Sequence, residues 1–269
     1  MGTNLREVED YLDQKFTESF DLKEAGATLA QMTANNQILF LLESLLDSEE
    51  LLEVARRSNR QQNGFEKLVL VSPAHRLYRL RFHIWNPRSG GNNQEDEHNH
   101  SWEFASTVLS GCLNQQFFIE SDSGEARFKH RFINQHLQPQ PTPYQNGYVN
   151  AETLGQVRLK RVHEVNLASG SNYILTPEVI HRITNLSDVP SSTLFLHGPF
   201  QKSDSDVYTK IPLARDRLDI PSYKPEQLAQ VIRNYLDSIG GSGVTKSLGL
   251  VQEANLQVDQ LTDPVGNGH

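Results

Sequence analysis

The chain has 269 residues, 37% of them hydrophobic and 22% charged, with a formal net charge of −8 and dispersed basic residues. That is enough to bury one sizeable core with additions, while the missing Lys/Arg stripe argues against nucleic acid and no apolar run nears the roughly 18 residues that span a bilayer. The acidic start "MGTNLREVEDYLDQ" is not a basic export signal, so a cytoplasmic protein is expected, and the single cysteine, Cys112, excludes an internal disulfide or a thiolate-rich zinc site.

Residues 4–60 read as helical. Asn4 caps the first helix, Glu7 completes a capping-box pattern, and Leu5, Val8, Leu12 and Phe16 recur at helical spacing. The apolar "NNQILFLLESLLD" follows, and Asp47 with Glu50 opens "SEELLEVARRSN", which ends before Gly64. Their apolar faces are read as core packed on the next unit.

From Phe65 to about Phe200 short strands alternate with turn residues, the pattern of an antiparallel sandwich or barrel. In "HRLYRLRFHIW", Tyr78, Leu80, Phe82 and Ile84 form one face and Arg79, Arg81, His83 and Trp85 the other. The apolar face must be buried; the cationic and aromatic one suits either solvent or a polar cavity inside a barrel. Residues 86–97 and 136–150, rich in Gly, Asn and Pro, read as a rim and a long loop or lid. After Phe200 comes the polar "QKSDSD", then a helix from about Lys224 with Pro225 in its first turn, the stripe Leu228, Val231, Ile232, Tyr235, Leu236 and Ile239, and a stop at Gly240-Gly241. The remaining tail reads as partly disordered. The domain reading is a helical segment at 1–62, a barrel at 63–200 and an extension at 201–269.

Within "EDEHNHSWEFASTVLSGC", His98 and His100 stand two residues apart before an apolar run. In an extended strand both project to one face and can grip a single ion, which His181 in "TPEVIHRITN" would complete. His98, His100 and Gly111, followed by Gly170, Pro177, His181 and Asn185, resemble the two motifs of the cupin superfamily. The match departs at Gly91, one residue too far from His98, at Glu103, one residue short, and at Pro177–His181, which lacks an inner glycine and one residue of spacing. Three residues beyond His100, Glu103 points away in a regular strand, and although a bulge could restore it, the preferred reading is three imidazoles and no carboxylate.

Such a set is similar to that of the thiol dioxygenases, cysteine dioxygenase in particular, which "NYILTPEVIHRITNLSDVPSSTLFLHGPF", "RLRFHIW" and "SEELLEVARRSNRQQNGFEKLVLV" also resemble, over about residues 45–200. The resemblance implies a mainly β fold, a cupin (double-stranded β-helix, jelly-roll) barrel with N-terminal helices and a C-terminal helix. It implies Fe(2+) on His98, His100 and His181, and a dioxygenase using O2 on a small-molecule substrate. The family's Ser-x-His-x-Tyr relay falls on Thr193, Phe195 and His197, its cross-linking cysteine on Phe104, and its carboxylate-binding arginine loosely on Lys67, with Arg79 and Arg81 as alternatives. His83 and His197 become the candidate catalytic groups, and Arg81, Arg79, Lys67, Trp85, Phe195 and Thr193 the candidate substrate-binding ones. Ordinary cysteine oxidation is not expected from so altered a relay. A ligand-sensing or storage cupin, or a cupin oxygenase or isomerase on a non-thiol substrate, are the alternatives.

Overall fold

The structure, a computed structural model, describes residues 4–34, 37–61, 64–74, 77–87, 94–133 and 147–240. Four helices open the chain: α1 (Leu5–Lys15), α2 (Leu22–Thr33), α3 (Gln37–Leu45) and α4 (Glu50–Arg57). Asn4 Oδ1 accepts the Glu7 amide at 3.0 Å, as the capping pattern requires. At α4 the N-cap position falls on Glu49, whose side chain makes no capping bond, and Ser48 Oγ, not the expected Asp47, accepts the Glu50 amide at 3.1 Å.

Twelve strands then form two six-stranded antiparallel sheets facing each other as a jelly-roll barrel. The first sheet runs β1 (Asn59–Arg60), β2 (Phe65–Val71), β3 (Arg79–Trp85), β10 (Ser191–His197), β5 (Phe104–Ser110), β8 (Asn172–Leu175). The second runs β11 (Asp204–Thr209), β4 (Glu97–His98), β9 (Ile180–Asn185), β6 (Cys112–Ile133), β7 (Gly147–Ala168), β12 (Arg217–Ile220). "NQQFFIE" and "ARFKHRFI", expected as two strands, are one 22-residue strand with an irregularity between Glu120 and Glu125. The first part of β6 pairs with β9 and its last part with β11, which curls the second sheet around the site.

The barrel sheet continues past residue 200. "QKSDSD" leads into β11, and β12 pairs with the start of β7, so part of the segment read as an extension is barrel wall. Residues 136–146 of the expected loop, half of the 86–97 rim and the tail after Gly240 lie outside the described residues, while 147–150, expected as loop, open β7. Among the described residues no helix is long and apolar enough to cross a membrane.

The choice between solvent and cavity for the polar face of β3 is settled by burial. All seven β3 residues are buried. Leu80, Phe82, Ile84, Leu194 and Leu196 point outward, yet into the main hydrophobic core, because the helices cover that side. Arg79, Arg81, His83 and Trp85 therefore face the barrel interior. The helix α5 (Pro225–Ile239) completes the cover: Tyr235 stacks edge-on against Phe82 at 5.2 Å, and its hydroxyl lies 2.6 Å from Ser192 Oγ.

Candidate metal centre

The two ligand-bearing segments are held side by side by backbone pairing. His98 and His181 are register partners on β4 and β9, and the chain before β4 follows β9 through Glu95 N–H to the Ile183 carbonyl and Ile183 N–H to the Glu95 carboxylate, both 3.0 Å. Asn99 ties the next turn to β11, its amide reaching the Asp206 carbonyl at 3.0 Å and its Oδ1 accepting the Asp206 amide at 2.7 Å. His98 and His100 then project inward together. Ring centroids lie 4.8 Å apart for His98–His100, 4.7 Å for His98–His181 and 5.1 Å for His100–His181, and one ring nitrogen of each lies within 4.8 Å of the others.

The chemistry of these donors fits a metal ion. His98 Nδ1 lies 2.9 Å from the Asp96 carbonyl and His181 Nδ1 3.3 Å from that of Val179. Each Nδ1–H therefore donates to a carbonyl and leaves the Nε2 lone pair to the site. Burial, then the neighbouring histidines, holds His100 well below the usual imidazole range, and burial with His98 pushes His181 down to about 3. Neutral imidazoles are what coordination requires. Among the described residues no carboxylate joins the set, which holds the three histidines. A three-histidine site of this kind can bind a metal.

On the reverse side of the ligand strands lies a buried ion network that the sequence reading did not pick out. Glu97, next to His98, accepts from Arg127 Nε and Nη2, each at 3.0 Å, and from Arg182, next to His181, at 2.8 Å. Its carboxylate raises the Arg127 pKa; at Arg182 burial outweighs the same carboxylate and lowers it. The network clamps β4, β9 and β6 together behind the ligands.

The three histidines open on a cavity of about 610 Å³ between the sheets. Of the expected substrate-binding and catalytic residues, Lys67, Arg81, His83, Trp85 and Phe195 line it. Lys67 stands opposite His83 in the β2–β3 register, and Phe195 opposite Arg81 in β3–β10. The Arg81 guanidinium lies over Trp102, 5.1 Å from the ring centroid, and 5.8 Å from Phe195. Desolvation, then Arg81 and Arg79, pushes the Lys67 ammonium down to about 7, and burial with Arg81 and Lys67 keeps His83 well below the imidazole range.

Thr193, Arg79 and His197 face the same interior but do not line the cavity. His197 is 2% exposed, its Nδ1 is 2.7 Å from the Gly198 carbonyl, and Trp102 packs against both it and His100, at 4.7 and 5.2 Å. β10 runs on past the end of the cavity, so the side chain of His197, the expected catalytic group, packs against the Trp102 ring and is not brought to the cavity. Phe104 and Phe195, stacked at 4.4 Å, take the space in front. His130 is fully buried, its ring nitrogens 2.9 Å from the Thr153 and Thr209 hydroxyls. Tyr173, Ile183 and the β11–β12 residues that line the cavity were missed. Alternation within β12 was their only signal, and four residues are too few to show it.

No family model and no curated protein matches the sequence. Among solved structures, the chain is similar to an oxalate oxidase in complex with the substrate analogue glycolate, at 10% identity and TM-score 0.30, covering 54% of this chain and 55% of that one. It is similar to KdgF from Halomonas sp. at 10% identity and TM-score 0.30, over 53% of this chain and 86% of that one. It is also similar to Drosophila melanogaster CENP-C bound to CAL1, at 10% identity and TM-score 0.33, over 58% and 96%. The chain thus spans about half the length of the oxalate oxidase, and at these scores no residue role transfers.

Proposed function

We propose that this protein is a mononuclear non-haem Fe(II) dioxygenase, thiol dioxygenase-like, acting on a small anionic metabolite. The observation that carries the reading is the meeting of three imidazoles with Lys67 and Arg81 in one cavity. His98, His100 and His181 would hold the ion, which when bound supplies oxygen activation beside the substrate. Three neutral ligands leave its full charge for anionic substrate donors. Arg81, braced on Trp102 and Phe195, presents a fixed guanidinium for a carboxylate, in a wall dry enough to strengthen that contact. Lys67, with a pKa near 7, carries charge toward the same group and can exchange a proton with it near neutrality. Phe104, Phe195 and Trp102 exclude water around the ligands.

A non-thiol oxygenation is favoured by one feature. The positions that correspond to the thiol dioxygenase relay and cross-link carry Phe195 and Phe104, and His197 is screened by Trp102. Of the four positions, the two with protic side chains, Thr193 and His197, do not line the cavity to order a thiolate.

Metal analysis of the purified protein followed by oxygen uptake with a panel of small thiol carboxylates tests the proposal. One iron per chain, lost in His181→Ala, with thiol-dependent uptake, is the expected result. Iron without thiol-dependent uptake moves the assignment to the non-thiol reaction; no stoichiometric transition metal defeats both.

A further inference from the structure

The cavity does not stop at the imidazoles. Across the second sheet the register pairs His98 with Val207, Ser205 with Phe132, Phe132 with Ala151, and Val149 with Leu218. These inward-facing side chains cross five adjacent strands, β4, β11, β6, β7 and β12. At about 4.8 Å per spacing, four spacings carry the wall roughly 19 Å along the sheet from the ligand strand. Apart from Ser205, Thr209 and Asp219, its far part is apolar. Phe132, Val149, Leu213, Leu218 and Ile220 all line the cavity and all are only partly buried, so apolar surface is left facing the enclosed space.

The opposite wall, from the first sheet, carries the cations Lys67 and Arg81 among Phe65, Trp85 and Phe195. Glu95, Asp96 and Asp219 also line the cavity. Glu95 accepts the Ile183 amide, and Asp96 lies beside His98 on the ligand strand's approach, so neither stands on the wall that carries the cations. A volume of about 610 Å³ falls in the range of roughly 300–1,000 Å³ that encloses ligands well beyond a three-carbon amino acid.

Resting on the dioxygenase reading for the reaction alone, we infer that the substrate is a carboxylate with an elongated apolar body, aryl or medium-chain acyl. The carboxylate sits at Lys67 and Arg81, and the body lies along the wall that β11 and β12 complete. The specificity determinants of the site then lie at Leu218 and Ile220, outside the stretch that carries the metal motifs.

The chain's two tryptophans, Trp85 and Trp102, both line the cavity and report its occupancy by fluorescence. The test titrates the purified protein with propionate, hexanoate and 3-phenylpropionate. The two larger acids should bind at least about tenfold more tightly than propionate, the scale of burying one such apolar group. Leu218→Asp should bring the three within about threefold of one another while iron content is unchanged, and Ile220→Asp repeats the test should the first variant disturb β12. Equal affinities in the wild type, or a preference kept by both folded variants, overturn the inference. Iron content is read in parallel: no iron with the preference intact defeats the dioxygenase reading and supports the inference, whereas iron with no preference defeats the inference alone.

Discussion

Glu97→Gln tests whether the charge network behind the site holds the ligand strands in place. The carboxylate is 2% exposed and accepts three bonds, two from Arg127 (6% exposed) and one from Arg182 (16%). Removing one partner of such a buried pair costs about 3–5 kcal/mol, because the remaining charges stay desolvated. Arg127 keeps Glu125 at 2.6 Å and Arg182 keeps Gln116 at 2.8 Å, which places the loss near the lower end, about 3 kcal/mol. For a domain of this size that is a fall of roughly 6–12 °C in Tm. Since β4 has two residues and one register pair to β9, the imidazole spacing should slacken as well, with metal affinity falling by about tenfold or more. Circular dichroism melting of metal-free protein reads the first effect and chelator competition the second. Arg161→Ala, which breaks the half-exposed pair with Glu164, is the control and should cost under about 1 kcal/mol. A Glu97→Gln protein that melts within about 2 °C of wild type and binds metal as tightly would refute the clamp.

Three further substitutions probe the turn glycines and the half-buried lysine. Gly111 has φ +76°, and an added Cβ would lie 2.0 Å from Ser191 Oγ and 2.9 Å from Ser191 Cα. Gly111→Ala should therefore cost about 3 kcal/mol or more, since Ser191 must give up bonds to Asn185 at 2.7 Å and the Cys112 amide at 3.1 Å; Gly170→Ala, at φ +88° with nothing within 4 Å, should cost only about 1–2 kcal/mol. Urea melts of the pair measure the difference. For Lys67 the folded pKa, about 7, lies below its ordinary 10.5, so between those values the unfolded chain binds the extra proton. Stability contributed by this group then rises with pH from about 7 to 10.5, at up to about 1.4 kcal/mol per unit. The stability of wild type relative to Lys67→Met, measured at pH 7 and 9.5, should shift toward wild type at the higher pH, and an unchanged difference would contradict the assigned burial.

Which features could be read from the chain follows from how local their causes are. The His98–His100 spacing, the cap at Asn4 and the helix from Pro225 rest on neighbours a few residues apart, and each is found where its pattern placed it. Gly111 and Gly170, two motif glycines, both adopt positive φ beside the strands that build the site. The face of β3 was legible as alternation, but its environment was not: whether Arg81 and His83 met water or a cavity depended on helices more than twenty positions upstream covering the other face. The Glu97–Arg127–Arg182 network joins three strands distant in sequence, and a lone glutamate beside a histidine gives no sign of it. For His197, a strand pattern tells which face the residue takes but not where along the strand the cavity ends.

The barrel also distributes its stability in an unusual direction. Its interior keeps Lys67, Arg81 and His83 out of bulk water and leaves a cavity between the sheets, while the clusters that include inward side chains, such as Phe104, Leu175 and Phe195, are small. The large core lies outside the barrel, where α1–α5 cover Leu68, Leu70, Leu80, Phe82, Leu194 and Leu196. At about 1.5–3 kcal/mol for each such side chain, these six alone represent at least about 9 kcal/mol of burial, comparable with the whole stability of an ordinary domain. The helical cover is thus what permits an open, polar interior. A fragment of residues 58–240, which lacks the four N-terminal helices, should fail to fold cooperatively and should bind a hydrophobic dye. A sharp thermal transition and a dispersed amide spectrum from that fragment would show instead that the two sheets hold the site unaided.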